Sequence, residues 1–376
     1  MLEDRSRSVS TPPSVQKARN LYQGCMDMKS REQVGLEPLK QVLEKIGGWP
    51  LVDRNWKEEN YNWVSAYIFL RSRLGLNYIF NMYVDIDSKN TSRRVIYLDR
   101  PGLGLGRSEL QNPRDTQESR KLVSAYKMYI RSSAQKLNYA NVPNTLISRD
   151  VNNMILFEQR LALASSPRED RRDHFALYNK MTISELQQQF PGIRWLSIMR
   201  RIFKYAKVSI TSQDEVVVQD STYYRNLPSI LRSTPPRVIA NYFGWRYVLG
   251  YSDYTTRQFT DTYFNFQRVA YGQRKPEKTW ETCYGIVDTY FPFTIGRLYV
   301  DSVFNGLSKG SVESLVHEVR SAFRSEFETY DWMDGFTKNR AKEKLDEMLV
   351  SIAYQPFLVN DTQLEANYRG VMSVLY

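Results

Sequence analysis

Residues 77–98, NYIFNMYVDIDSKNTSRRVIYL, hold the clearest β pattern in a chain whose remaining periodicity is helical. Large apolar side chains fall at Tyr78, Phe80, Met82, Val84 and Ile86, with Asn77, Asn81 and Asp85 between them. A period of two puts the apolar set on one face of a strand. The polar run Asp87-Ser88-Lys89-Asn90-Thr91 reads as a turn, and Arg94-Val95-Ile96-Tyr97-Leu98 as the returning strand. The stretch predicts a hairpin.

On both sides of it the period lengthens. Upstream, helices are expected over residues 15–28, 37–46 and 62–73, the second with Leu39, Val42, Leu43 and Ile46 on one face. Gly47-Gly48 stops that helix and Trp49-Pro50 leads the chain away. Beyond Pro101, helices are expected over 115–137, 150–165, 182–190, 194–205, 235–250, 256–271, 277–290, 311–328 and 336–348. Asp334 is a candidate N-cap for the last of these. A short β pair is expected between Val208-Ser209-Ile210 and Val216-Val217-Val218. Residues 1–15, rich in Ser, Thr, Pro and charge, read as a flexible tail. No internal repeat or low-complexity linker breaks the rest, so the expected fold class is mainly α with a small β-hairpin element.

The composition is that of an ordinary globular protein, with 42% hydrophobic and 25% charged residues among 376. No run approaches the roughly 18 uninterrupted apolar residues of a membrane helix. The charged opening residues are unlike a signal peptide, so any targeting or anchoring segment is expected upstream of this sequence. The net charge of +11 comes from 52 basic and 41 acidic residues that are interleaved along the chain. Without a basic run or a zinc finger, a solvated basic surface is expected and a nucleic-acid partner is not. Two cysteines, Cys25 and Cys283, form no CxxC pair. They leave open two buried thiols or one long-range disulfide.

Three motifs bear on chemistry. Pro101-Gly102-Leu103-Gly104-Leu105-Gly106-Arg107 follows a strand, but its GxGxG spacing, the hairpin before it and the missing P-loop lysine point to a structural turn. No parallel crossover is expected after it. His317-Glu318-Val319-Arg320-Ser321 begins like a zincin helix, yet the fifth position is serine, so no second imidazole faces the metal. Val312, Leu315, Val316, Val319 and Phe323 form the apolar stripe of that helix, which turns His317 toward solvent. The other histidine, His174, is distant in sequence and stands in no recognisable site motif. Asn90-Thr91-Ser92 and Asn360-Asp361-Thr362 fit the N-glycosylation sequon, and the hairpin turn should expose Asn90.

A resemblance extends this reading. Asn20-Leu21-Tyr22-Gln23-Gly24-Cys25-Met26-Asp27, Glu37-Pro38-Leu39 and Gly47-Gly48-Trp49-Pro50 resemble the start of the amino-terminal region of M13 peptidases, the family of neprilysin and the endothelin-converting enzymes. Asp99-Arg100-Pro101 with Leu103-Gly104-Leu105 is similar to the family's DQP-x-LGL loop. Leu177-Tyr178-Asn179-Lys180-Met181-Thr182 resembles its YNKMT segment. Asn241-Tyr242 with Trp245-Arg246, then Tyr271-Gly272, Trp280, Cys283, Gly296-Arg297-Leu298-Tyr299-Val300 and Asp331-Trp332-Met333-Asp334, follow in family order. The likeness covers roughly residues 15 to 365.

The resemblance implies the large helical lobe of a neprilysin-like metallopeptidase, with an amino-terminal-like domain over residues 16–368 and a truncated end at 369–376. It implies proteolysis of small extracellular peptides, zinc as the family's cofactor, and an extracellular or plasma-membrane ectodomain. The family's HExxH helix, glutamate ligand and Asn-Ala clamp lie beyond the point matching Tyr376. No catalytic, cofactor-binding or metal-ligating residue carries over, so this chain alone is expected to be inactive and to lack its carboxy-terminal catalytic partner half. Family correspondence pairs Cys25 with Cys283 as a disulfide. The alternative is a stand-alone, non-catalytic relative that binds peptides or a partner.

Overall fold

The computed structural model describes residues 1–3, 12–167, 169–304 and 306–371. Within the expected tail, residues 4–11 lie outside the described residues, as do 372–376 of the expected truncated end. In chain order the helices are α1 (Pro13–Met26), α2 (Met28–Val34), α3 (Glu37–Lys45), α4 (Trp63–Leu74), α5 (Arg107–Gln111), α6 (Gln117–Leu137), α7 (Asn144–Leu163), α8 (Ile183–Gln189), α9 (Trp195–Phe203), α10 (Ser221–Arg232), α11 (Pro236–Tyr251), α12 (Arg257–Tyr271), α13 (Thr279–Tyr290), α14 (Pro292–Ser302), α15 (Gly306–Thr329), α16 (Gly335–Asp346) and α17 (Asp361–Asn367). The strands are β1 (Asn81–Asp87), β2 (Asn90–Asp99), β3 (Asn179–Thr182) and β4 (Glu215–Val218). The chain divides into two compact units, one of residues 1–30 with 277–376 and one of residues 31–276.

In the unit of residues 31–276, the hairpin is half of a four-stranded sheet of order β1-β2-β4-β3. The pairs β1–β2 and β3–β4 are antiparallel, whereas β2 and β4 run parallel. Two expectations are thereby corrected. A parallel pairing does follow the glycine-rich loop, and Val216–Val218 pairs with residues 96–98 and 179–181 rather than with Val208–Ile210. The reason is that β4 is buried on both sides and needs a neighbour at each edge, which the four-residue stretch after Tyr178 supplies. So short a strand, running straight into a helix, has too few residues to display a period.

The alternation of the hairpin sorts its side chains onto two faces. Met82, Ile96, Leu98, Val216 and Val218 point into the main core. Val95, Tyr97 and Val217 form a smaller cluster on the other face, where Tyr83 stacks on Tyr97 with ring centroids 5.3 Å apart. The pattern outruns the core, because Val84 and Ile86 near the turn are 46% and 48% exposed. The main core is strongly aromatic, with Trp49, Tyr67, Phe80, Trp195, Tyr224 and Trp245 wholly buried. Helices α6, α7, α11 and α12 pack around it. Gly47 and Gly48 end α3 at φ +95° and +86°, a region that β-carbons disfavour.

In the unit of residues 1–30 and 277–376, α1 packs on α13, α14 and α17. Ala18, Tyr22, Val287, Phe291, Leu364 and Tyr368 form its core, joined by Leu2. A disulfide links Cys25 on α1 to Cys283 on α13, with their Cα atoms 5.6 Å apart. Asp334 caps α16, its Oδ1 accepting the Thr337 N–H at 2.7 Å. The stripe on α15 does not face a core as its spacing predicts. Val312, Leu315, Val319 and Phe323 are 44–61% exposed, and Phe327 is the buried residue of that helix.

Candidate functional site

The glycine-rich loop is a clamp built of protein groups. Gly104 N–H donates to Glu158 Oε1 at 2.6 Å, and Arg246 donates to the Gly102 carbonyl at 2.6 Å and to the Tyr242 hydroxyl at 2.9 Å. Arg246 lies 3.9 Å from Glu158. The Tyr126 hydroxyl accepts the Trp245 indole N–H at 2.7 Å and sits where a β-carbon on Gly104 would be. The backbone N–H that a phosphate would need already faces a carboxylate, so the loop is a structural turn. Burial pushes the Glu158 carboxyl up, opposed by the Arg246 charge, the Gly104 N–H and Tyr126. The sequence reading does not single out Glu158. Its spacing carried the signal: it lies seven residues from Val151 and four from Met154, on the buried stripe of α7.

His174 and His317 belong to different units. Both are exposed. Among the described residues no group of three or more His, Cys, Asp or Glu is arranged to hold a metal ion. The residues present therefore do not fit the zinc that the sequence resemblance implies, and no step is derived through it.

His317 borders an open groove of about 410 Å³ with Lys309, Glu313 and Arg320 of α15, opposite the segment from Val350 to Pro356. Lys309 lies 4.4 Å over the Tyr354 ring and 3.9 Å from Glu313. Arg320 donates to the carbonyls of Leu345, Asp346 and Met348 at the carboxyl end of α16, where a cation is favoured. Arg320 ties α15 to the end of α16, and Lys309 ties α15 to Tyr354. They supply no nucleophile beside a base and no pair of carboxylates.

Of the sequon residues, Asn90 opens β2 at the hairpin tip, exposed, its Oδ1 accepting from the Ser92 hydroxyl at 2.6 Å. Asn360 is exposed and caps α17, accepting the Gln363 N–H at 3.1 Å.

Comparison with known proteins places this architecture. The description "Peptidase family M13" matches residues 1–355. The chain is 35% identical to Neprilysin-1 of Trittame loki over 363 residues, covering 96% of this chain and 50% of that protein. It is 30% identical to human neprilysin over 374 residues, covering 95% and 50%. Among solved structures, the open state of the Mycobacterium tuberculosis zinc metalloprotease Zmp1 superposes with TM-score 0.73 at 22% identity, covering 96% of this chain and 56% of that one. PepO from Lactobacillus rhamnosis gives TM-score 0.74 at 19% identity, covering 98% and 57%. The chain spans about half the length of the curated relatives it matches. By the family match along nearly its whole length, and by the helical fold it shares with these peptidases, the chain belongs to peptidase family M13 and corresponds to the family's amino-terminal part.

Proposed function

We propose that this chain is the amino-terminal, substrate-enclosing part of a neprilysin-like zinc metalloendopeptidase that acts on small extracellular peptides, and that it has no peptidase activity alone. The observation that carries the reading is the bare apolar face of α15. A stripe of Val312, Leu315, Val319 and Phe323 left in water suits a surface that another part of the family's full-length protein covers. The carboxy-terminal half is the partner we assign to it, and that half would supply the zinc site. Residues 16–368 then make one evolutionary region folded as two units. We further assign the chain to the extracellular space or to a plasma-membrane ectodomain, with glycans at Asn90 and Asn360. No helix among the described residues is long and apolar enough to cross a membrane, so on this reading anchoring belongs to a segment outside them.

The test is a peptidase assay with a fluorogenic peptide and zinc. The chain alone is expected to be silent, and the chain co-expressed with the carboxy-terminal half of a relative such as Neprilysin-1 is expected to cleave. Stoichiometric zinc on the chain alone, with cleavage abolished by His317→Ala, would overturn the reading. Tight peptide binding by the chain alone, with no association to the other half, would favour a stand-alone binding relative.

A further inference from the structure

We propose that the exposed face of α9, together with the end of α4, binds a linear sulfated polysaccharide. Helix α9 buries Trp195, Ile198 and Met199 and turns its other face outward. That face carries Arg200 and Arg201, and the short turn that follows adds Lys204 and Lys207. Spacings of three and four residues stack Arg201 and Arg200 with Lys204 on one side of the helix. Helix α4 packs alongside and contributes a fifth cation. The Arg73 guanidinium stacks on the Tyr205 ring at 4.3 Å, and Arg201 reaches Ser65 of α4 at 3.4 Å.

All five cations are exposed. Elsewhere in this unit the arginines meet acids: Arg171 pairs with Asp99 at 2.8 Å, Arg237 with Asp150 at 2.7 Å and Arg93 with Glu215. Among the described residues, no carboxylate stands within ion-pair distance of any of the five. Two of the five spend a donor on the protein nearby: Arg200 Nε bonds the Ile210 carbonyl at 2.8 Å and Arg201 the Ser65 hydroxyl at 3.4 Å. Gathered like charges raise one another's energy, and a polyanion with closely spaced groups relieves that cost while releasing its counterions.

The ridge suits sulfates on a chain better than bases or lipid. Stacking of nucleobases needs open ring faces, and the exposed Tyr205 ring is already covered by Arg73. Anchoring in a bilayer needs bulky apolar groups projecting beside the cations, and the ridge ends in the exposed Val208. The inference does not depend on peptidase activity.

The test is elution of the full chain from immobilised heparin. The triple variant Arg201→Ser, Lys204→Ser, Lys207→Ser should elute at a salt concentration lower by about 0.1 M or more, because each lost contact weakens the salt-dependent term. Arg54→Ser, Lys57→Ser, Lys121→Ser removes the same charge elsewhere on this unit and should move elution much less. The charge-keeping triple Arg201→Lys, Lys204→Arg, Lys207→Arg should elute as the parent does, which separates charge from folding. Equal shifts for the two serine triples would overturn the proposal in favour of diffuse attraction. So would loss of binding to phosphatidylserine vesicles or duplex DNA by the α9 triple while heparin elution stays unchanged.

Discussion

At the scale of single residues, Asp87 shows what the hairpin turn conceals. The sequence places it among turn residues, yet its side chain is fully buried. It accepts the Tyr178 hydroxyl at 2.6 Å and the Lys89 N–H at 3.0 Å, and faces Arg93 at 3.2 Å and Lys180 at 3.6 Å. The Tyr178 hydrogen bond, then Lys89, Arg93 and Lys180, hold its carboxyl down at about 2 against the cost of burial. A carboxyl held down in the folded state stabilises fully above the ordinary carboxylate range and loses that contribution as pH falls through its folded value. Tyr178→Phe is therefore expected to lower the melting temperature at pH 7, with the gap to the parent closing between pH about 4 and about 2. A gap constant across that range would show that the Tyr178–Asp87 bond is not the cause. Asn90 stands three residues further, exposed at the hairpin tip. Expressed through a secretory pathway, the chain should carry a glycosidase-sensitive mass that Asn90→Gln reduces by one glycan. An Asn90→Gln product differing from the parent only by the side chain would remove Asn90 from the proposal.

Among the elements, α15 separates period from environment. Its spacing writes an apolar face clearly, but spacing names only which residues share a side, not what covers them. In this chain the side faces water, so the double variant Leu315→Glu, Val319→Glu should change stability by no more than about 0.5 kcal/mol in urea unfolding. Phe327→Ala, on the one buried residue of the same helix, should cost about 3–5 kcal/mol. Equal costs would mean that the stripe is buried within the chain after all. On the proposed function, the same double variant should also fail to associate with the carboxy-terminal half. The sheet gives the complementary case. The β1–β2 hairpin was readable because its partners are neighbours in sequence. The β2–β4 pairing joins residues 96–98 to 216–218 across more than a hundred positions, and no local pattern announces it.

For the whole molecule, the disulfide is the longest covalent constraint, closing a sequence separation of 258 residues between α1 and α13. The chain-entropy argument gives about 5–6 kcal/mol for such a loop, an upper figure that residual structure in the unfolded chain reduces. Replacing both cysteines by serine should destabilise the unit of residues 1–30 and 277–376 by about 2–5 kcal/mol. Calorimetry should show one transition moved down while that of the unit of residues 31–276 stays in place. Transitions that are both unmoved would show that the bond contributes nothing. The sequence by itself determined the helical class, the hairpin, the capping of α16 and the family, because each depends on residues close together or on the order of short motifs along the chain. It also excluded an HExxH zinc site within these residues, since a missing ligand needs no coordinates to establish. The tertiary structure alone decided the two-unit division, the four-stranded sheet, the buried Glu158–Arg246 clamp, the bare face of α15 and the cationic ridge on α9. Each of these depends on which surfaces meet across long separations. That is settled by packing and by the placement of charges in space, quantities that a one-dimensional pattern does not hold.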